Sequence, residues 1–198
     1  MSEIKVNKIS PATSTDITLG DSGDTFTLPS GATFVNSGTA TGFGGGKIGQ
    51  VQYTQITDTE ETTSTSYATI PTLQVTITPS ASDSLILITG YLAVGFGDNI
   101  HCLVQLFRDT TQIAMGDAAS SRGRDLMGFR SHSYYMSYSC WPMAFQWIDN
   151  PADTSAHTYS FKWRLNSGAM YLGRPWDNTD SSNYNRSPCQ IAAWEILA

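Results

Sequence analysis

The run from His157 to Leu165, HTYSFKWRL, alternates apolar and polar side chains without a break. Tyr159, Phe161, Trp163 and Leu165 stand against Ser160, Lys162 and Arg164. A side-chain period of two belongs to a β-strand with one buried face, because successive Cβ atoms point to opposite sides. The same period returns in GQVQYTQI, where Val51 and Tyr53 alternate with Gln50, Gln52 and Thr54. It returns again in TLQVTITP, where Leu73, Val75 and Ile77 alternate with polar partners up to Pro79. No stretch repeats its apolar residues at helical spacing, and DAASSRGRDLM (Asp117 to Met127) admits a turn of helix at most. The chain is therefore expected to be all-β, built from half-buried antiparallel strands.

Two segments break the alternation. SLILITGYLAVGF (Ser84 to Phe96) and IHCLVQLF (Ile100 to Phe107) are apolar on both faces. One face of a sandwich strand meets the opposite sheet and the other meets water, so an apolar outward face marks a subunit contact. The C-terminal QIAAWEILA behaves alike, with Trp194 and Ile196 on one face and Ile191 and Leu197 on the other. It reads as a strand locked inside a sheet. Leu92, Val94 and Trp194 are accordingly the expected subunit-interface residues. About eight to ten such strands suit a jelly-roll-like sandwich.

Composition narrows the function classes. Of 198 residues, 40% are hydrophobic and only 14% charged, and the net charge is -6. Thr, Ser, Asn, Gln and Gly replace the missing charge, and β-branched Thr favours strands. An acidic chain is a poor nucleic-acid binder. Its one basic run, SSRGRDLMGFRS, sets Asp125 among Arg122, Arg124 and Arg130. Cys102, Cys140 and Cys189 are too few and too odd in number for a disulfide framework, and Cys102 and Cys140 lie in apolar runs as small buried hydrophobes. This usage suits a reducing cytoplasm. MSEIKVNKIS lacks the apolar core of a signal peptide, and LILITGYLAVGF is too short and glycine-broken to span a bilayer as a helix. No membrane insertion is expected.

The first 46 residues differ in kind. DITLGDSG, DTFTLPSG and ATFVNSGT each place apolar residues two apart and then turn on a glycine, at a spacing of roughly eight or nine residues. Each unit offers too few inward side chains to offset its own ordering entropy. Three copies wound about a shared axis could do so, with Ile17, Leu19, Phe26, Leu28 and Phe34 pointing inward. The alternative is a linker, but a Gly/Ser linker needs no Phe or Leu. GFGGG (Gly42 to Gly46) specifies nothing and reads as a hinge. The expected organisation is a β-stalk over 1–41, a hinge over 42–46 and a β-sandwich head over 47–198.

These residues carry a resemblance. SEIKVNKISPATSTDITLGDSGDTFTLPSGATFVNSGTATGFGGG is similar to the N-terminal region of fibre-like virion proteins of tailed bacteriophages, marine ones especially. TSTSYATIPTLQVTITPSASDSLILITGYL, PADTSAHTYSFKWRLNSGAMYLGR and the closing QIAAWEIL resemble a recurrent phage-fibre head domain. The resemblance implies a homotrimeric fibre or spike, assembled in the host cytoplasm. Its N-terminal segment would meet other virion proteins, and its head would be similar in plan to tumour-necrosis-factor-like trimers. The segment from Gly116 to Asn150 departs from the pattern, so the resemblance assigns it no role.

Enzyme motifs are weak. His101, His132 and His157 lie far apart with no Cys or carboxylate at ligand spacing, which argues against a metal site. Ser131, His132 and Ser133 are neighbours in sequence, and neighbours on a strand point apart. GFGGG lacks the Lys-Ser/Thr and the helix of a phosphate loop. No cofactor is expected. GRPWDNTDSSNYNRSPC is richer. Asp177, Asn178, Asp180 and Asn183 could ligate calcium, but a polar loop satisfied by its own Asx turns explains them better. Arg174, Trp176, Asp177, Tyr184 and Arg186 combine aromatic faces with hydroxyl-binding groups. They are the candidate contacts to a host-surface glycan or protein, against the plainer reading that Trp176 pins the loop to the sandwich. In the aromatic run from Phe129 to Trp147, Arg130, His132 and Tyr134 could stand on a distal loop. Two rival functions remain: a decoration protein without a receptor, and a polysaccharide depolymerase. The depolymerase would need two of Asp149, Asp153, Asp177 and Asp180 at catalytic separation.

Overall fold

The computed structural model describes residues 9–11, 17–18, 21–25, 27–33, 35, 48–131 and 137–197. The chain forms two compact units, Met1–Phe43 and Gly44–Ala198. In the first, the described residues make two reverse turns one repeat apart. The Asp24 amide donates to the Asp21 carbonyl and the Ala32 amide to the Pro29 carbonyl, each at 3.0 Å. Gly23 and Gly31 hold the third turn position at φ 98° and 85°, where a Cβ would be strained. So the glycine of each repeat has a structural reason. No strand is present among the described residues of this unit, and Ile17 and Leu28 are exposed. Leu19, Phe26, Phe34 and the expected hinge at 42–46 lie outside the described residues.

The described residues of the second unit form eleven strands: β1 (Ile48–Ile56), β2 (Glu60–Thr62), β3 (Ala68–Ile77), β4 (Leu85–Phe96), β5 (His101–Arg108), β6 (Thr111–Ile113), β7 (Met127–Arg130), β8 (Trp141–Asp149), β9 (His157–Leu165), β10 (Met170–Leu172) and β11 (Cys189–Ile196). All pairings are antiparallel. β10 and β11 pair with successive stretches of β4, while β2 and β1 pair with β10 and β11 respectively. β6 and β7 likewise share one side of β5. The short strands therefore lie end to end in common lanes, and the described strands fill eight lanes. One sheet runs β8, β4, then β11 with β10, then β1 with β2; the other runs β3, β9, β5, then β6 with β7. The first lane pairs with the last, the second with the seventh, the third with the sixth and the fourth with the fifth. This is an antiparallel ribbon rolled on itself, the jelly roll.

The alternation read from sequence decides the core. Leu73, Val75 and Ile77 of β3 and Tyr159, Phe161, Trp163 and Leu165 of β9 are all buried. Phe145 of β8 meets Phe161 edge-on across the sheets, with centroids 5.3 Å apart. Asp117–Met127 contains a turn at Ser120 and Ser121 and no helix.

Two expectations are overturned. Leu92 and Val94 are not at a subunit interface, because their register turns them inward with Ile86, Ile88 and Phe96, and each is fully enclosed by its own chain. The outward residues of β4 are Leu85, Leu87, Thr89 and Tyr91, and Trp194 of β11 lies on that outer face opposite Leu87. In β1 the apolar residues face out rather than in: Val51 and Tyr53 are exposed. Gln50 turns toward β3, donating to the Thr78 carbonyl at 2.6 Å and to Glu195 at 2.8 Å. Thr54 does the same, its hydroxyl donating to the Gln74 carbonyl at 2.6 Å. β1 and β3 are the last strands on one side of their sheets. Their unpaired carbonyls need donors, and the amide and hydroxyl side chains provide them.

Candidate binding site

After β10 the chain leaves its lane at Gly173 and returns at Ser187, whose amide donates to the Gly173 carbonyl at 3.0 Å. Gly173 sits at φ 72°, and its own amide donates to the Ala93 carbonyl at 2.8 Å. The excursion between, residues 174–186, lies against the outer side of β4. A Cβ on Gly95 would come within 2.2 Å of the Arg174 carbonyl oxygen, and one on Gly97 within 3.1 Å of the Trp176 indole nitrogen. The two glycines are the reason the loop can lie so close. The Asp177 amide donates to the Ser137 carbonyl at 3.0 Å, tying the loop to the segment before β8.

The candidate contact residues fall into different roles. Arg174 stacks 3.5 Å from the centroid of Tyr171 and donates to the Pro175 and Trp176 carbonyls at 3.0 and 3.2 Å. It braces the loop's first turn. Asp177 accepts from the Thr179 hydroxyl at 2.6 Å and the Thr179 amide at 3.0 Å, with the Tyr184 hydroxyl at 3.5 Å. The Thr179 bonds hold its carboxyl below the usual carboxylate range. This is an Asx turn, so Asp177 organises the loop rather than pointing to a ligand. Tyr184 is half-buried, edge-on to Tyr138 at 5.8 Å. Trp176 is 44% exposed.

Tyr184 and Arg186 do converge. With Pro175, Asn178, Thr179, Asp180, Ser181 and Asn185 they line a hollow of about 300 Å³. Arg186 donates to Asn178 Oδ1 at 3.0 Å across it. Apart from Pro175, every lining side chain has a hydrogen-bonding group. Two of those side chains carry formal charge, of opposite sign, and one is an aromatic ring. Such a wall suits a polyhydroxylated ligand better than an apolar or strongly charged one. Thr179, Ser181 and Asn185 were missed from sequence. Their only signal is the density of amides and hydroxyls between Pro175 and Pro188.

Of the four carboxylates considered for catalysis, three are engaged in hydrogen bonds within the fold. Asp149 is buried, accepting from Arg108 at 2.8 Å and from the Tyr159 hydroxyl at 2.7 Å. Asp153 faces His157 at 3.1 Å, Asp177 is held by Thr179, and Asp180 alone lines the hollow. His101 is exposed on β5 and His132 and Tyr134 lie outside the described residues, whereas Arg130 is exposed at the end of β7. Among the described residues no group of three or more His, Cys, Asp or Glu side chains is placed to hold a metal ion. Burial pushes the Cys102 thiol up to about 11.

No protein-family model matches the chain, and no curated protein matches it. Among solved structures, it is similar to the VP2 subviral particle of infectious bursal disease virus, with a TM-score of 0.36 and 13% identity over 76% of this chain and 38% of that one. It is also similar to a structure of the Gx strain of the same virus, with a TM-score of 0.35 and 13% identity over 76% of this chain and 37% of that one. The chain thus spans well under half the length of the chains it matches. A likeness at this level distinguishes no function.

Proposed function

We propose that the chain is a bacteriophage virion structural protein. It forms a homotrimeric fibre or spike, meets other virion proteins through its N-terminal segment, and presents its jelly-roll head for attachment to a host-surface glycan. The observation that carries attachment is the hollow in the 174–186 loop, an inserted structure outside the sandwich core and lined by hydrogen-bonding side chains. The virion assignment is supported by the sequence resemblance and by the turn-forming N-terminal repeats. The mechanism is binding without bond cleavage. One shallow hollow binds a sugar weakly, and several hollows on one particle gain avidity through effective concentration.

The rival decoration role has support of its own, since Arg174 and Asp177 are committed to the loop's internal structure. Titrating the full chain against a panel of bacterial envelope polysaccharides separates the readings. Attachment predicts saturable binding that falls at least tenfold in Tyr184→Ala and Arg186→Ala, with melting temperatures unchanged. Binding to none of the panel, or binding indifferent to both substitutions, would favour decoration. Release of reducing ends during the incubation would restore the depolymerase.

A further inference from the structure

The two sheets differ on their outer faces. On the β3–β9–β5 sheet the outward side is polar and charged. Thr76 and Thr158 share a hydrogen bond at 2.8 Å, Lys162 lies 3.9 Å over the Phe107 ring, and Arg164 lies 5.0 Å from the Tyr67 ring. The opposite outer face is built by the alternate residues of β1, β11, the first half of β4, and β8. The register sets Tyr53 beside Ala192, Trp194 beside Leu87, and Leu87 beside Ile148. No Asp, Glu, Lys or Arg projects from this stretch: Glu195 and Asp149, on the same strands, turn inward and are buried. What polarity it has comes from Gln55, Thr89, Gln146, Gln190 and the hydroxyls of Tyr53 and Tyr91. A groove of about 470 Å³ runs along Leu87, Gln146, Trp147 and Ile148.

We propose that this face docks a second copy of the same chain. Each chain carries a net charge of -6, so two copies repel unless the surfaces that touch are uncharged. A partner selected by its charge finds no complement here, because this face offers no charge. Its amides and hydroxyls each both donate and accept, so they can pair with whichever polar groups the second copy presents. Four lanes spaced about 4.8 Å apart and some seven residues long give a footprint on the order of 400 Å². A footprint of that order matches the largest patch on a typical monomer, which is often a functional surface. The 174–186 loop covers the other half of β4's outer side, so docking there leaves the loop and its hollow uncovered.

The inference rests on the reading that the protein works in several copies, and the test separates the two. Light scattering on the full chain should give a multiple of the 21.5 kDa chain mass. Ile148→Glu and Tyr53→Glu replace side chains that are 55% and 66% exposed, so each should still fold. Each should lower the mass to that of one chain at the same micromolar concentration, with an unchanged circular dichroism spectrum. Gln74→Glu, on the outer face of the other sheet, should leave the multiple intact. If both substitutions leave the mass unaltered, the face is wrong while the multi-copy reading stands. If the unsubstituted protein is a monomer, both fall.

Discussion

His157 is held between two carboxylates, Asp109 at 2.8 Å on Nδ1 and Asp153 at 3.1 Å on Nε2. Only the imidazolium can donate from both nitrogens. Burial alone would lower its pKa, but the bonds to Asp109 and Asp153 outweigh burial and raise it above 6.5. The stability this contributes is fully present below pH 6.5 and is lost as pH rises through the raised value. Burial likewise pushes Asp109 up, and the bonds from His157 and the Thr158 amide bring it below 3.8, so its contribution is lost on acidification. The trio therefore stabilises the fold most between the carboxylate range and the imidazole's. Thermal melts of the protein and of His157→Gln should diverge most at about pH 5 to 6 and converge toward about pH 8. A gap that widened toward pH 8 would show that the imidazole is held neutral. The sequence shows Asp149 and Asp153 in turn contexts. It does not show Arg108, Tyr159 and His157 as their partners, because the Arg108–Asp149 contact joins strands 41 residues apart.

At the scale of the element, strand identity was legible and strand facing was not always so. β3 and β9 face as their alternation requires, because both lie over the core along their whole length. β1 obeys the same period with the faces exchanged. An edge strand's polar side chains can satisfy a neighbouring edge's carbonyls, and then its apolar residues must face outward. In β4 both faces are apolar, so pattern alone does not say which residues point in, and the register turns Leu92 and Val94 to the side opposite that expected. The loop's hollow was half legible. The candidate residues stand out in the sequence, but which of them brace the loop depends on its close approach to Gly95 and Gly97. That approach gives a prediction. Gly95→Ala sets a methyl against the Arg174 carbonyl and the Pro175 backbone, which cannot yield as a flexible side chain would. The loop should lift from β4 while the core stays intact. Hydrogen exchange should accelerate at Asp177 by at least tenfold and stay unchanged in β9. Exchange at Asp177 as slow as in the parent would mean the loop is not held by that contact.

At the scale of the whole molecule, the two units follow different physics. The head encloses its own core, with Ile70, Leu73, Trp163 and Phe161 among side chains almost wholly removed from water. Among the described residues, the N-terminal repeats form turns at Gly23 and Gly31 and leave Ile17 and Leu28 exposed. A charge-free outer sheet face and a short-repeat N-terminal segment both suit a protein that works in several copies on a larger particle. That claim is tested most directly by labelling purified, intact virions with gold-tagged antibody raised against the head. The account predicts gold on structures projecting from the particle, at the end away from the particle surface. Absence of the protein from purified virions would contradict it outright.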